Sequence, residues 1–130
     1  MILLDTHIWI RWLEPSTDPL PSEISTLIDV SERVYVSAVS CWEVAYLAKR
    51  NRLTLPIPTE EWLKAALDES GVECLSINAK IATRAATLSD IHRDPADRFI
   101  IATAIETGLS LISMDRSFRD YPELSGKLIG

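Results

Sequence analysis

The sequence predicts an α/β fold in which a parallel β-sheet lies between two layers of helices, as a three-layer sandwich. Short apolar runs with β-branched residues alternate along the 130-residue chain with longer segments of helical character, and this alternation favours a parallel sheet. An acidic residue follows an apolar run at both Asp5 and Asp115, where functional groups collect in such sheets. The length, and the lack of an internal repeat or second composition, predict a single domain over residues 1–130.

Five segments have the residue types of strands, which are mainly branched or aromatic apolar side chains. They are residues 2–4, 34–36, 72–75, 109–113 and 127–129. Prolines at 14–21 and 56–58 predict loops or turns.

Six segments between these strands are predicted to be helices. They are residues 6–13, 22–31, 41–50, 60–70, 79–88 and 95–107. The sixth helix has clear end signals, because Asp94 suits the N-cap, Pro95 suits the first helical position and Gly108 suits the residue after the last turn. Ser40 and Glu43 fit a capping box that begins the helix at 41–50.

The composition is that of an ordinary soluble globular domain, with 47% hydrophobic and 25% charged residues. The net charge of −6 does not by itself favour nucleic acid, although clustered site carboxylates contribute to that total. Cys41 and Cys74 form no ligand motif and are expected to be small core residues. The sequence has neither a signal peptide nor an apolar run of the roughly 18 residues that cross a membrane, so we expect a cytoplasmic protein.

Four acidic residues are expected at one edge of the sheet: Asp5, Glu43, Asp97 and Asp115. Two follow strands, and two lie near the start of helices that we expect to begin at the same edge. Because like charges repel, a fold that gathers them requires a cation. Carboxylate oxygens without Cys or His ligands suit Mg²⁺ or Mn²⁺, which points to phosphate chemistry.

Several of these residues also have a purely structural interpretation. Glu43 would complete the capping box, Asp94 would cap the sixth helix, and Asp115 with its neighbour would form a turn. His7 and His92 are possible general bases, but neither is needed if a metal ion activates water. The flanking arginines either hold phosphates or neutralise the acidic cluster; they are Arg93, Arg98 and Arg116.

Four sequence segments, in order along the whole chain, resemble the PIN-domain nucleases, and more narrowly the VapC-type toxins of bacterial toxin–antitoxin pairs. They are LDTH at 4–7, SAVSCWE at 37–43, HRDPADRFIIA at 92–102 and LISMD at 111–115. The resemblance implies a Mg²⁺- or Mn²⁺-dependent endoribonuclease that is bound by an antitoxin and forms a homodimer. It matches the family's acidic quartet to Asp5, Glu43, Asp97 and Asp115, places Asp94 in the same motif, and makes Thr6 and Ser113 small hydroxyl residues beside the ligands.

The first helix is apolar almost all round, with Trp9 and Trp12 among its side chains. Such a short helix is either packed in the core or covered by a partner. We expect the core to account for part of this surface, and the antitoxin or a second copy to cover the rest.

Two other classes of function are compatible with an acidic pocket on an α/β sheet. A receiver-like signalling module is disfavoured because Asp5 stands alone and the segment 72–75 ends in Ser76, with no aspartate to accept phosphate. A metal-dependent phosphatase for small substrates remains an alternative, which an open groove would disfavour. Transfer, ribosomal and messenger RNA all fit the expected nuclease.

Overall fold

The computed structural model describes residues 1–16, 18–91 and 94–130. Five strands form one sheet in the order β3-β2-β1-β4-β5, and every neighbouring pair is parallel. The strands are β1 (Ile2–Leu4), β2 (Val34–Ser37), β3 (Glu73–Leu75), β4 (Ser110–Ile112) and β5 (Leu128–Ile129). The central strand β1 pairs on both sides, with Leu3 opposite Tyr35 and Leu111. The predicted parallel sheet is therefore confirmed.

The helices follow the predicted order along the chain. They are α1 (Thr6–Leu13), α2 (Ser22–Val30), α3 (Ala38–Lys49), α4 (Thr59–Lys64), α5 (Ala79–Thr87) and α6 (Pro95–Thr107). A π-helical segment, Ala65–Glu69, extends α4, and two short 3-10 segments, Arg116–Asp120 and Pro122–Leu124, lead from β4 towards β5. None of the helices in the described part of the chain is long and apolar enough to cross a membrane.

Hydrophobic clusters cover both faces of the sheet, as expected of buried parallel strands. Leu3 and Leu111 face a cluster built with α5 and α6, whereas Leu4 and Ile112 face a cluster built with α1 and α4. Neighbouring residues on β1 and β4 thus point into opposite cores. This arrangement holds the carboxyl ends of the central strands in fixed positions between two helix layers.

The strand order excludes the receiver-like alternative. In the flavodoxin-like order of receiver domains, the second strand lies at the edge of the sheet next to the first. Here β3 takes that edge and β2 lies between β3 and β1. The chain therefore differs from receiver domains in topology as well as in its acidic residues.

The third helix begins three residues earlier than predicted, which corrects the capping box. Ser37 ends β2 and is also the N-cap of α3, because its hydroxyl accepts a hydrogen bond of 3.2 Å from the backbone N–H of Val39. Ser40 is consequently a buried residue of the first turn, not the cap, and Glu43 lies in the second turn. Ser37 and Ser40 both suit an N-cap, and Ser37, which ends β2, occupies that position.

Two predictions about burial are also corrected. Cys74 is exposed because β3 is an edge strand, while Cys41 is half-buried. Burial and the neighbouring Cys74 thiol raise the pKa of Cys41 to about 12, so this thiol stays protonated. Trp9 is fully buried against Trp62, with ring centroids 5.5 Å apart, so the core accounts for this part of α1, as expected.

The predicted loop residue Thr17 and the site candidates His92 and Arg93 lie outside the described residues.

Candidate active site

Asp5 directly follows β1 and is almost completely buried, at 4% exposure. Its backbone N–H donates to the carbonyl of Ile112, and its Oδ2 accepts a hydrogen bond of 2.8 Å from the Ser113 hydroxyl. Oδ1 is buried and accepts no hydrogen bond from the described residues. Burial raises the pKa of Asp5 to about 6, although the Ser113 hydrogen bond acts in the opposite direction. A buried carboxylate oxygen without a donor is costly, and a bound cation would stabilise it.

Glu43 is held at the same edge by two hydroxyl groups. The Thr6 hydroxyl donates to Glu43 Oε1 over 2.6 Å and lies 2.7 Å from the hydroxyl of Ser40. Because Thr6 gives its single proton to Glu43, Ser40 donates to Thr6. Both hydroxyl residues are completely buried. Thr6 at the start of α1 thereby fixes the carboxylate of Glu43 on α3. Ser40, which was predicted to be a helix cap, instead forms a hydrogen bond with Thr6.

Ser113 links Asp5 to Asp115. Its oxygen accepts a hydrogen bond of 3.1 Å from the backbone N–H of Asp115 while its hydroxyl donates to Asp5. The Asp115 side chain is exposed and accepts hydrogen bonds from the backbone N–H and the hydroxyl of Ser117. Asp115 is therefore the N-cap of the 3-10 segment that follows it, as well as a member of the acidic group.

Asp97 is the half-buried third residue of α6. A helix N-terminus normally favours an ionised carboxylate, yet the pKa of Asp97 is raised to about 8. Burial is the largest cause, and the remaining causes are the negative charges of four other carboxylates: Asp5, Asp94, Glu43 and Asp115. Three of these four carboxylates belong to the acidic group predicted from the sequence, and all four act electrostatically on Asp97.

Asp94 is exposed and its Oδ1 accepts a hydrogen bond of 3.0 Å from the backbone N–H of Ala96. The prediction that Asp94 caps α6 is confirmed, and the αL conformation of Gly108 at the other end of the helix, with φ of 73°, is confirmed as well.

The arginines divide between two positions. Arg98 donates to the backbone carbonyls of Ala85, Leu88 and Ser89, at 2.9 to 3.0 Å. Its guanidinium group therefore fastens the end of α5 to α6 and does not offer its donors to a phosphate. Arg116 is exposed beside Asp115, and His7 is exposed on α1.

The oxygen ligands at this edge suit a hard divalent cation in their chemistry, but they are spread apart. All the candidate metal ligands are carboxylate or hydroxyl oxygens. No hydrogen-bond donor from the described residues competes for Asp5 Oδ1. Among the described residues, however, no group of three His, Cys, Asp or Glu side chains is arranged to hold an ion. Thr6 and Ser117 occupy oxygens of Glu43 and Asp115 respectively. Carboxylates that repel each other in this way are expected to draw together only around a cation.

Comparison with known proteins agrees with this geometry. The PIN domain family model matches residues 2–124. The chain is 37% identical over 123 residues to Ribonuclease VapC22 from Mycobacterium tuberculosis (strain ATCC 25618 / H37Rv). The match covers 92% of this chain and 91% of that relative.

Solved structures with the same fold include two assemblies. A toxin-antitoxin complex from Klebsiella pneumoniae has a TM-score of 0.70 and 22% identity, and covers 100% of this chain and 97% of that chain. The structure of VapBC2 from Rickettsia felis bound to a DNA fragment from the VapBC2 promoter has a TM-score of 0.72 and 18% identity. The match covers 99% of this chain and 98% of that chain. From the family match, the curated relative and the shared fold, this chain belongs to the PIN-domain family.

Proposed function

We propose that this protein is a divalent-metal-dependent endoribonuclease that acts as the toxin of a toxin–antitoxin pair. The main observation in support is electrostatic: five carboxylates interact at the carboxyl edge of a PIN-domain sheet, and the pKa of Asp97 at their centre is raised to about 8. A relative at 37% identity is a ribonuclease. Asp94 and Asp115 are exposed, so part of the acidic edge is accessible to a polymer.

The proposed ligands are Asp5, Glu43, Asp97 and Asp115, and the proposed ion is Mg²⁺ or Mn²⁺. When bound, the ion supplies an activated water and offsets the negative charge that develops on the phosphodiester. Asp94, which caps α6 through Oδ1, is a possible additional ligand.

The chain's own residues prepare this site. Ser113 orients Asp5 and Thr6 orients Glu43, so that two ligands are held before an ion arrives. Asp97 keeps its proton near neutral pH because of burial and the surrounding carboxylates. Cation binding favours its ionised form, and the proton released on binding links the affinity for the ion to pH.

We further propose a cognate antitoxin and a homodimer as partners in the cytoplasm. The solved neighbours include toxin-antitoxin complexes. An antitoxin side chain with a positive charge, such as Arg, would offset the negative charge of the acidic group when it enters. Since Trp9 is fully buried, the antitoxin's contact with α1 would involve exposed and half-buried residues such as His7 and Trp12.

The test is cleavage of total cellular RNA by the purified chain with Mg²⁺, with Mn²⁺, and with a chelator. We expect internal cleavage that requires the ion, and suppression when the protein encoded by the neighbouring reading frame is added. Hydrolysis of p-nitrophenyl phosphate without cleavage of RNA would instead support the phosphatase alternative.

A further inference from the structure

Helix α3 carries an exposed aromatic stack beside the acidic group. Trp42 and Tyr46 are 57% and 38% exposed, and their rings stack with centroids 5.0 Å apart and planes 16° from parallel. The guanidinium carbon of Arg50 lies 5.2 Å from the centre of the Tyr46 ring. These residues are four apart, so they lie along one side of the helix. We call Trp42, Tyr46 and Arg50 the α3 platform.

Core packing does not explain the platform. The residues that α3 buries are Val39, Ser40 and Val44, whereas Trp42, Tyr46 and Arg50 are all exposed. Large aromatic side chains are usually buried, as Trp9 and Trp62 are here. Among the described tryptophans, Trp42 alone is classed as exposed.

Charge and position both indicate a polyanion as the ligand. Trp42 immediately precedes Glu43, which Thr6 holds in the acidic group. The helix continues past Tyr46 to Lys49 and Arg50, two exposed cations at the end of the helix in a chain whose net charge is −6. A strand that leaves the acidic edge along α3 would therefore meet aromatic faces first and cations next.

We propose that the α3 platform binds single-stranded RNA beside the site of cleavage, with bases stacked on Trp42 and Tyr46 and a phosphate paired with Arg50. Exposed aromatic faces combined with cations are the usual means of binding single strands without strict sequence readout. A protein partner is the alternative occupant, because aromatic residues and Arg are also enriched in protein interfaces. The two adjacent exposed cations, Lys49 and Arg50, favour a polyanion instead. The proposal rests on the proposed ribonuclease function and identifies residues that position its substrate.

The first experiment measures binding in an Asp97→Asn background, in which the RNA stays intact. The probes are a fluorescent oligoadenylate and an abasic ribose-phosphate oligomer of equal length. We expect Trp42→Ala and Tyr46→Ala to weaken oligoadenylate binding about tenfold each, with a much smaller effect on the abasic oligomer. Trp42→Phe should restore most of the affinity, and Val30→Ser, which removes an exposed apolar side chain on α2, should change nothing.

The contribution of Arg50 is tested separately by salt dependence. Arg50→Gln should reduce the slope of log affinity against log salt concentration by nearly one unit, as loss of one phosphate contact predicts. Lys80→Gln, which removes an exposed cation from α5, is the matched control and should leave the slope unchanged.

The second experiment measures RNA cleavage in the chain that retains Asp97. Trp42→Ala should raise the KM for RNA by about tenfold, and this rise should exceed any change in kcat. If the parent chain fails to cleave RNA with any divalent ion, the proposed function is wrong. If it cleaves RNA and Trp42→Ala has the parental KM and oligoadenylate affinity, only the platform is wrong.

A protein occupant of the platform would give a different result. Light scattering should show the same mass for the parent and for Trp42→Ala. A loss of dimer in the variant, with unchanged RNA affinity, would identify the platform as an interface between copies and overturn the RNA proposal.

Discussion

Ser113 holds Asp5 through a buried hydrogen bond of 2.8 Å between residues 108 positions apart in the chain. The contact joins the ends of the neighbouring strands β1 and β4, and the second oxygen of Asp5 accepts no hydrogen bond from the described residues. The same serine accepts the backbone N–H of Asp115. One hydroxyl group thus orients one carboxylate directly and positions the backbone of another.

Removing this hydroxyl should affect Asp5 in a defined direction. The Ser113 hydrogen bond lowers the pKa of Asp5 against the effect of burial, so in Ser113→Ala the pKa should rise above its present value of about 6. Since the ion requires the ionised form, the acidic limb of the pH–activity profile should move to higher pH. Ser125→Ala, at an exposed position, is the control, and an unshifted limb in Ser113→Ala would contradict the role of this hydrogen bond.

Three conservative substitutions should separate ligand from cap in the acidic group. Asp5→Asn and Asp97→Asn should each reduce RNA cleavage by at least about a hundredfold, because each loses a charge that the ion requires. Asp94→Asn should retain most activity, since Asn caps helices as well as Asp. Initial rates with saturating Mn²⁺, together with circular dichroism as a check on folding, decide the matter. Near-normal cleavage by both of the first two variants would rule out the site.

The Thr6 hydroxyl should be required for metal affinity more than for folding of the sheet. Thr6→Val keeps the shape but leaves Ser40 and Glu43 without a shared partner. We expect a lower free energy of unfolding, by about 1–3 kcal/mol, and an increase in the Mn²⁺ concentration that gives half-maximal activity. Thr6→Ser keeps the hydroxyl and should restore the Mn²⁺ requirement. If Thr6→Val has the parental requirement, the hydroxyl does not orient Glu43.

Arg98 should contribute to stability and not to phosphate binding. Its guanidinium group donates to three backbone carbonyls at the end of α5 within 3.0 Å. Arg98→Ala should therefore lower the free energy of unfolding by about 2 kcal/mol or more, as measured by urea denaturation. The exposed Arg116 is the matched control, and Arg116→Ala should change the free energy of unfolding by less than about 0.5 kcal/mol. A stable Arg98→Ala with a raised KM for RNA would reverse this assignment.

The elements with strong local signals could be predicted from the sequence. Asp94, Pro95 and Gly108 mark the ends of α6 by backbone chemistry that acts within a few residues, and both ends are as predicted. The start of α3 could not be predicted in the same way, because Ser37 and Ser40 both suit a cap and the choice depends on where β2 ends. The hydrogen-bond partners of Arg98 could not be predicted, because they lie at the end of α5 and no local sequence pattern records how α5 packs on α6. The nearness of Asp5 and Asp115 could be predicted because strand ends in a parallel sheet share one edge, whereas metal binding by the acidic group stays a prediction.

The last prediction concerns the stability of the chain in the presence of a chelator. The pKa of Asp97 is raised from 3.8 to about 8, and that of Asp5 to about 6. The native state therefore binds more protons than the unfolded chain over the range from about pH 4 to about pH 8. The free energy of unfolding should be greatest at the acidic end of this range and fall as pH rises through it, and Mg²⁺ or Mn²⁺ should raise the melting temperature most near neutral pH.

Asp97→Asn separates repulsion from structural support at this position. The parent must take up a proton at Asp97 when it folds, because four other carboxylates and burial oppose a charge there, whereas Asn is neutral in both states. In chelator at neutral pH the variant should therefore gain about 1 kcal/mol of unfolding free energy, or about 4 °C in melting temperature. It should also lose the increase that Mn²⁺ gives the parent. Asp94→Asn is the control, since it keeps the cap and should follow the parent in both conditions. Thermal scans of the three proteins, each with chelator and with Mn²⁺, measure both effects. If Asp97→Asn is clearly less stable than the parent in chelator, the carboxylate stabilises the start of α6, and repulsion within the acidic group is not the dominant contribution there.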